Sequence, residues 1–220
     1  MPQPDAMPLS DAQVQALHDR ANDLTGSASA RSLYQDWAPV YDATIERFGR
    51  YLSPDRIAAE AARRCPDRGV RVLDVACGTG LAGVALARQG FSRITGLDLS
   101  EEMLAVAAAK GCYGRLVAAD LSGPLPFAPG AFGVITCIGA LLAGHLDSGA
   151  FVRMVRMLPP GGVLLADVEG GTFEDEGYAA ALERLQREGV LAEVAQEAGH
   201  FHAPGQGEAM HGWFVVVRRG

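Results

Sequence analysis

The sequence predicts an α/β fold, a mostly parallel β-sheet with helices packed on both of its faces. Three observations carry that expectation. From about residue 70 onward, short β-branched runs alternate with stretches of helical length, and parallel strands need such crossovers while their two-sided burial makes them read as continuous apolar runs. The first of these runs, Val70-Arg71-Val72-Leu73-Asp74-Val75, passes through Ala76-Cys77-Gly78-Thr79-Gly80 into a helix near Leu81: a strand, a glycine turn and a helix N-terminus in succession. The 220 residues suffice for one sizeable core and no Pro/Gly/Ser-rich linker divides them, so a single domain over 1–220 is expected.

From the N-terminus, Ser10-Asp11-Ala12-Gln13 has the form of a capping box, and Val14, Leu17 and Leu24 follow at helical spacing. A first helix is expected over about residues 11 to 23, ended by Thr25-Gly26-Ser27. A second helical region, about residues 29 to 48, carries Leu33, Trp37, Val40, Tyr41, Ile45 and Phe48, with Pro39 bending or breaking it. Ser53-Pro54 opens a third helix through Ala62. Strands are then placed near 70–76, 93–98, 114–119, 132–138, 162–168, 191–197 and 212–217, with helices near 80–89, 101–110, 147–157 and 174–188. Residues 1–62 thus form a helical cap and residues 63–220 the sheet core.

Composition narrows the function. A net charge of −7 opposes a surface that tracks phosphates, because nucleic-acid affinity comes from clustered Lys and Arg, and it disfavours anionic membrane surfaces equally. No apolar run approaches the roughly 20 residues of a spanning helix. The start, Met1-Pro2-Gln3-Pro4-Asp5, lacks the basic and apolar regions of a signal peptide. Cys65, Cys77, Cys112 and Cys137 are widely separated, as free thiols of a reducing compartment are, so a cytoplasmic protein is expected.

The glycine turn is a nucleotide site by its chemistry, since glycine lets a ligand approach the backbone and the next helix offers free N–H groups. Gly78-Thr79-Gly80-Leu81-Ala82-Gly83 also fits the dinucleotide pattern G-x-G-x-x-G with an acid, Asp98, about 20 residues on. In the dinucleotide fold, however, the first glycine follows the strand directly, whereas here Val75-Ala76-Cys77 intervene after Asp74. That spacing resembles motif I of the class I S-adenosylmethionine methyltransferases. Gly96-Leu97-Asp98-Leu99-Ser100-Glu101-Glu102-Met103-Leu104, Ala118-Ala119-Asp120-Leu121, Leu125-Pro126-Phe127 and Leu158-Pro159-Pro160-Gly161-Gly162 follow in the order of that group. A closer resemblance, to the methyltransferase-like family of the Williams-Beuren syndrome critical region, is carried by Tyr34, Trp37-Ala38-Pro39-Val40-Tyr41-Asp42, Asp74 to Gly80, Met103-Leu104, Lys110-Gly111-Cys112-Tyr113 and Leu182-Glu183-Arg184-Leu185. The resemblance implies a Rossmann-like methyltransferase fold, a seven-stranded sheet of order 3-2-1-4-5-7-6 with the last strand antiparallel, and an N-terminal helical lid. It names no acceptor.

Ligands in such sheets bind beyond the carboxyl ends of the strands, which selects the candidate residues. Asp98 has two acceptor oxygens for the two ribose hydroxyls, the alternative being a helix cap, for which Ser100 is the better residue. The resemblance places Asp74 near the cationic ammonium end of the methionine moiety, with capping of the glycine turn as an added role. Gly78 and Gly80 let the backbone pass close to the ligand, and Ala76, where many relatives carry glycine, fits if its φ is negative. Leu99 flanks Asp98, Met103 is placed to pack on the adenine or within the core, Asp120 to accept from the exocyclic amine, and the Leu121 N–H to meet a ring nitrogen. The Gly139 carbonyl is the choice to meet the ammonium.

Trp37 and Tyr41, one turn apart on the lid, either face the sulfonium by cation–π attraction or anchor the segment, with Tyr34 and Arg31 as weaker candidates for the methionine carboxylate. His145, past the fourth strand, is the candidate base, the alternative being an ordinary loop histidine. Glu169 either lines the mouth or caps the next helix. His200, His202 and His211 could hold a metal only with Glu208 and a further ligand, so no metal is expected. The expected activity is methyl transfer from S-adenosyl-L-methionine, leaving S-adenosyl-L-homocysteine, to a small-molecule acceptor. A binding module without turnover and a nicotinamide-dependent oxidoreductase are the competing readings.

Overall fold

Seven strands form one sheet in the order β3-β2-β1-β4-β5-β7-β6, in a computed structural model that describes residues 10–47, 50–121, 123–175, 177–203 and 211–220. The strands are β1 (Arg71–Val75), β2 (Arg93–Asp98), β3 (Arg115–Ala118), β4 (Val134–Leu141), β5 (Val163–Glu169), β6 (Leu191–His200) and β7 (His211–Arg219). All pairings are parallel except those of β7, which lies antiparallel between β5 and β6. The order implied by the resemblance is the order observed.

Alternate residues of the central strands serve two cores, the period-2 consequence of the pleat. Leu73, Ile135, Leu164 and Val217 pack on one face with α7 (Ser148–Met157) and α9 (Tyr178–Arg187). Val72, Val134, Leu165 and Val216 pack on the other with α4 (Ser53–Arg64) and α5 (Leu81–Arg88). The N-terminal helices α1 (Asp11–Asn22), α2 (Ser27–Trp37) and α3 (Tyr41–Arg47) keep a small core of their own around Leu24, Leu33, Trp37 and Ile45. The capping box at Ser10 and Gln13 is formed, and Pro39 sits in a single 3-10 turn, Ala38–Val40, that separates α2 from α3.

The cap is tied to the sheet at its far edge. Leu52 N–H donates to the Phe201 carbonyl at 2.7 Å and Ala203 N–H to that of Arg50 at 2.9 Å, so residues 50–52 extend the end of β6. α6 (Glu101–Ala109) follows β2, with Ser100 as its N-cap.

Three expectations need correction. β4 continues past residue 138 to Leu141, because its register against β5 shifts between Cys137 and Leu141 and the bulge keeps the strand paired. The helix expected over 174–188 is two, α8 (Gly170–Asp175) and α9, with Gly177 left-handed at φ 78° before α9. Ala76 has φ 53°, not the negative value expected, and is the one non-glycine residue at positive φ among those described. Phe48, Glu208 and the loop at 204–207 lie outside the described residues, as does the start at 1–5. No helix among the described residues is long and apolar enough to cross a membrane.

Candidate active site

The chain reverses its direction of winding on either side of β1, and the cavity lies at that switch, beyond the carboxyl ends of β1, β2 and β4. It is a partly open cleft with about 1000 Å³ of empty space around its walls, open solvent included. The glycine turn forms one wall, with Gly78 at φ 52° and Gly80 at φ 92°. Gly78 N–H donates to Asp98 Oδ2 at 2.7 Å, while Asp98 Oδ1 accepts from Ser100 N–H at 2.9 Å. Ser100 Oγ caps α6 through Met103 N–H at 3.2 Å, so Asp98 is not the cap. Burial raises the Asp98 carboxyl above its ordinary pKa, with the backbone donors opposing the shift.

Asp74, 1% exposed, accepts from the hydroxyls of Tyr113 at 2.7 Å and Thr136 at 2.8 Å. Burial pushes it to about 6, against the pull of those two hydrogen bonds. The Tyr113 ring lies against Gly80, where a Cβ would come within 2.9 Å of it, and also fills the place of a side chain at Gly83. The third glycine of the G-x-G-x-x-G match therefore makes room for a tyrosine that braces Asp74.

Tyr34, Tyr41 and Tyr51 come from the cap, and His145 and Leu146 from the loop after β4. Gly139, in the β4 bulge at φ 67°, has no room for a side chain, since a Cβ would meet Tyr51 Oη at 2.7 Å. Its N–H donates to Asp167 Oδ1 at 2.7 Å, and burial raises Asp167 to about 6. Tyr34 Oη lies 2.9 Å from His145 Nε2. Asp42 of α3 accepts from Lys110 at 2.6 Å and from Thr79 of the glycine turn, which clasps cap to core.

Of the residues singled out from sequence, Tyr34, Tyr41, Asp74, Ala76, Gly78, Asp98, Leu99, Met103, Asp120, Leu121, Gly139 and His145 line this one cavity. Gly80 lies in the turn beside it. Trp37 is not at the cavity. It is 3% exposed in the core of the cap, with Nε1 donating to Thr44 Oγ1 at 2.7 Å, which is the anchoring alternative. Arg31 is exposed, and Glu169 caps α8 through Thr172 N–H at 2.8 Å.

His202 stacks on Tyr51 at 4.7 Å, while His200 and His211 face each other across the β6–β7 pair. Among the described residues no group of three or more His, Cys, Asp or Glu could hold a metal ion. Sequence reasoning passed over Tyr51 and Asp167. An acid at the end of an apolar run, the signal used for Asp74 and Asp98, is present at Asp167; Tyr51 has none, because it is placed by a bridge to His202, past the end of β6.

The sequence matches the methyltransferase domain family over residues 72–162. It is 31% identical over 192 residues to methyltransferase-like protein 27 of Homo sapiens, spanning 84% of this chain and 76% of that protein. The chain belongs to the class I S-adenosylmethionine-dependent methyltransferases. The fold of this methyltransferase is shared with a TehB-like SAM-dependent methyltransferase from Corynebacterium glutamicum, at a TM-score of 0.60 and 21% identity over 86% of this chain and 99% of that one. The DhpI–SAH complex superposes with a TM-score of 0.60 and 23% identity over 88% and 97% of the two chains.

The methyltransferase's own residues fit a sulfonium nucleoside. Asp74, Asp98 and Asp120 line the cavity and no Lys or Arg does among the described residues, so its field favours a cation over an anion. The glycine turn leaves open space beside Gly78. The nicotinamide alternative, which rested on the glycine pattern, gives way to the family.

Proposed function

We propose that this enzyme methylates a small molecule bound under the cap, between the nucleoside end of the cavity and the group formed by Tyr34, Tyr41, Tyr51 and His145. The observation that carries this is the continuity of the cavity: one space touches Asp98 and Met103 and also the cap tyrosines. A polymer substrate needs an open groove and, if nucleic acid, a basic one; here the site lies under α2 and α3 and the net charge is −7.

S-Adenosylmethionine supplies, when bound, a methyl group on a sulfonium whose leaving group is a neutral thioether. The protein's task is then to orient, to exclude water and to manage the acceptor's proton. Asp98 is assigned to the ribose hydroxyls, Met103 to the adenine face, Asp120 and the Leu121 N–H to the adenine edge, and the Gly139 carbonyl to the ammonium. Asp74 supports that end through Tyr113 and Thr136. Tyr41 closes the cavity from the cap, held by the Asp42 clasp to Thr79 and Lys110.

Calorimetric titration with S-adenosylmethionine, S-adenosylhomocysteine and NAD, followed by a screen of small acceptors with labelled methyl donor, tests the reading. Micromolar binding of the two sulfur ligands and transfer to a small molecule are expected. Transfer to proteins alone would overturn the assignment of the acceptor.

A further inference from the structure

We propose that Tyr34 and His145 are a proton-accepting pair for a neutral hydroxyl compound, with Tyr34 Oη receiving the acceptor's proton as His145 Nε2 takes that of Tyr34. The inference rests on the methyl-transfer reading above and extends it to the acceptor's chemical class.

The tautomer of His145 follows from its partners. Nδ1 lies 3.1 Å from the Ala143 carbonyl, an oxygen that only accepts, so Nδ1 carries the hydrogen. Nε2 is then the bare nitrogen, and Tyr34 at 2.9 Å is its donor. Tyr34 Oη keeps a lone pair for one further donor, and both residues line the cavity. Burial holds His145 below its ordinary pKa, so it is neutral and able to take a proton at pH 7.

Charge and valence select the acceptor. A carboxylate or phosphate would find no Lys or Arg on the cavity wall among the described residues. A thiol ionises near neutrality without a base, and an ammonium brings three donors to a group that offers one acceptor. One O–H matches one lone pair. Ile138, Leu146 and the rings of Tyr41 and Tyr51 supply apolar walls, so the fitting molecule is an uncharged hydroxyl compound with an apolar body. As its oxygen bonds to the methyl carbon, the carbon–sulfur pair leaves with sulfur, the acceptor O–H breaks toward Tyr34, and the Tyr34 proton ends on His145 as imidazolium.

The test compares the chain with its Tyr34→Phe variant on two neutral probes, phenol and pyridine, a nucleophile of similar size with no proton to give up. Loss of the relay is expected to lower kcat on phenol about 100-fold, the range of general-base catalysis, and to change kcat on pyridine less than about threefold. Calorimetric affinity for S-adenosylmethionine should stay within about twofold, since Tyr34 is on the acceptor side. His145→Gln, which still accepts from Tyr34 but takes no proton, should show the same contrast if Tyr34→Phe folds poorly. Nitrogen NMR of the unmodified protein should show the Nδ1–H tautomer of His145.

Equal loss on both probes, no loss on phenol, an Nε2–H tautomer, or failure to methylate phenol while S-adenosylmethionine binds would each overturn the pair. Absence of S-adenosylmethionine binding would overturn the reading beneath it instead.

Discussion

Ala76 holds φ 53°, a region that costs an L-residue with a Cβ roughly 1–2 kcal/mol, and it does so in the turn that lines the cavity. Ala76→Gly should therefore raise stability in denaturant by up to about 1 kcal/mol, less than the full strain because glycine gains entropy when unfolded. A loss of stability would show that the methyl group packs well enough to outweigh its strain. Asp98 ties Gly78 N–H, and the assignment proposed above has it face the ribose as well. Asp98→Ala should cost roughly 1–3 kcal/mol of calorimetric affinity for S-adenosylmethionine; unchanged affinity would move the nucleoside elsewhere.

Asp74 gives a pH signature. Its folded pKa, about 6, exceeds the ordinary ~3.9 of an unfolded aspartate, so its protonated form is favoured by folding. That contribution is complete below about pH 4 and is lost as the pH rises through about 6. The half-buried His18, His145 and His202 titrate in the opposite sense, desolvation lowering each, so the clean comparison is with Asp74→Asn. Relative to the unmodified chain, the ligand-free variant should gain on the order of 1–3 kcal/mol between pH 4 and 7 in urea titrations. A difference that stays flat over that range would place the titration on another group.

At the scale of elements, the cap is held by a few contacts with different physics. Its own core, Leu33 and Trp37 above all, makes α1 to α3 a unit, and Asp42 joins that unit to the glycine turn and to the end of α6. The ion pair is half-exposed, at 20% and 36% for the two side chains, so its worth in stability is modest, about 1 kcal/mol or less. Lys110→Ala should nonetheless raise amide hydrogen exchange in α2 and α3 while leaving β1 and β4 protected, because local opening of the cap needs only its few contacts to break. Equal acceleration in both regions would mean that cap and sheet open together. Boundaries that local chemistry sets were legible in advance: the Ser10 capping box, the Pro39 break and the Ser100 cap. The β4 bulge was not, since a shift of register is defined against β5 and nothing in residues 137–141 alone requires it.

Across the whole molecule, β7 is the last element in sequence yet lies inside the sheet, pairing with β5 on one side and β6 on the other. Val215 and Val217, at 1% and 0% exposure, seal one core while Phe214 and Val216 seal the other. Removing residues 211–220 should thus abolish cooperative unfolding rather than trim it, since it opens both cores and leaves two unpaired strand edges. A truncated chain with a normal thermal transition would contradict that view of the fold.

Sequence alone determined the strand and helix alternation, the glycine turn, the strand-end acids and the placing of most cavity residues, because period, punctuation and chain direction are local properties that topology carries to one end of a parallel sheet. Only the tertiary structure decided that Trp37 anchors the cap while Tyr34 and Tyr51 enter the site, that Gly83 makes room for Tyr113, and that Tyr34 meets His145 across 111 positions of sequence. Those depend on which side of a docked helix faces the cavity and on pairings between distant segments, and neither quantity is written in the spacing of residues along the chain.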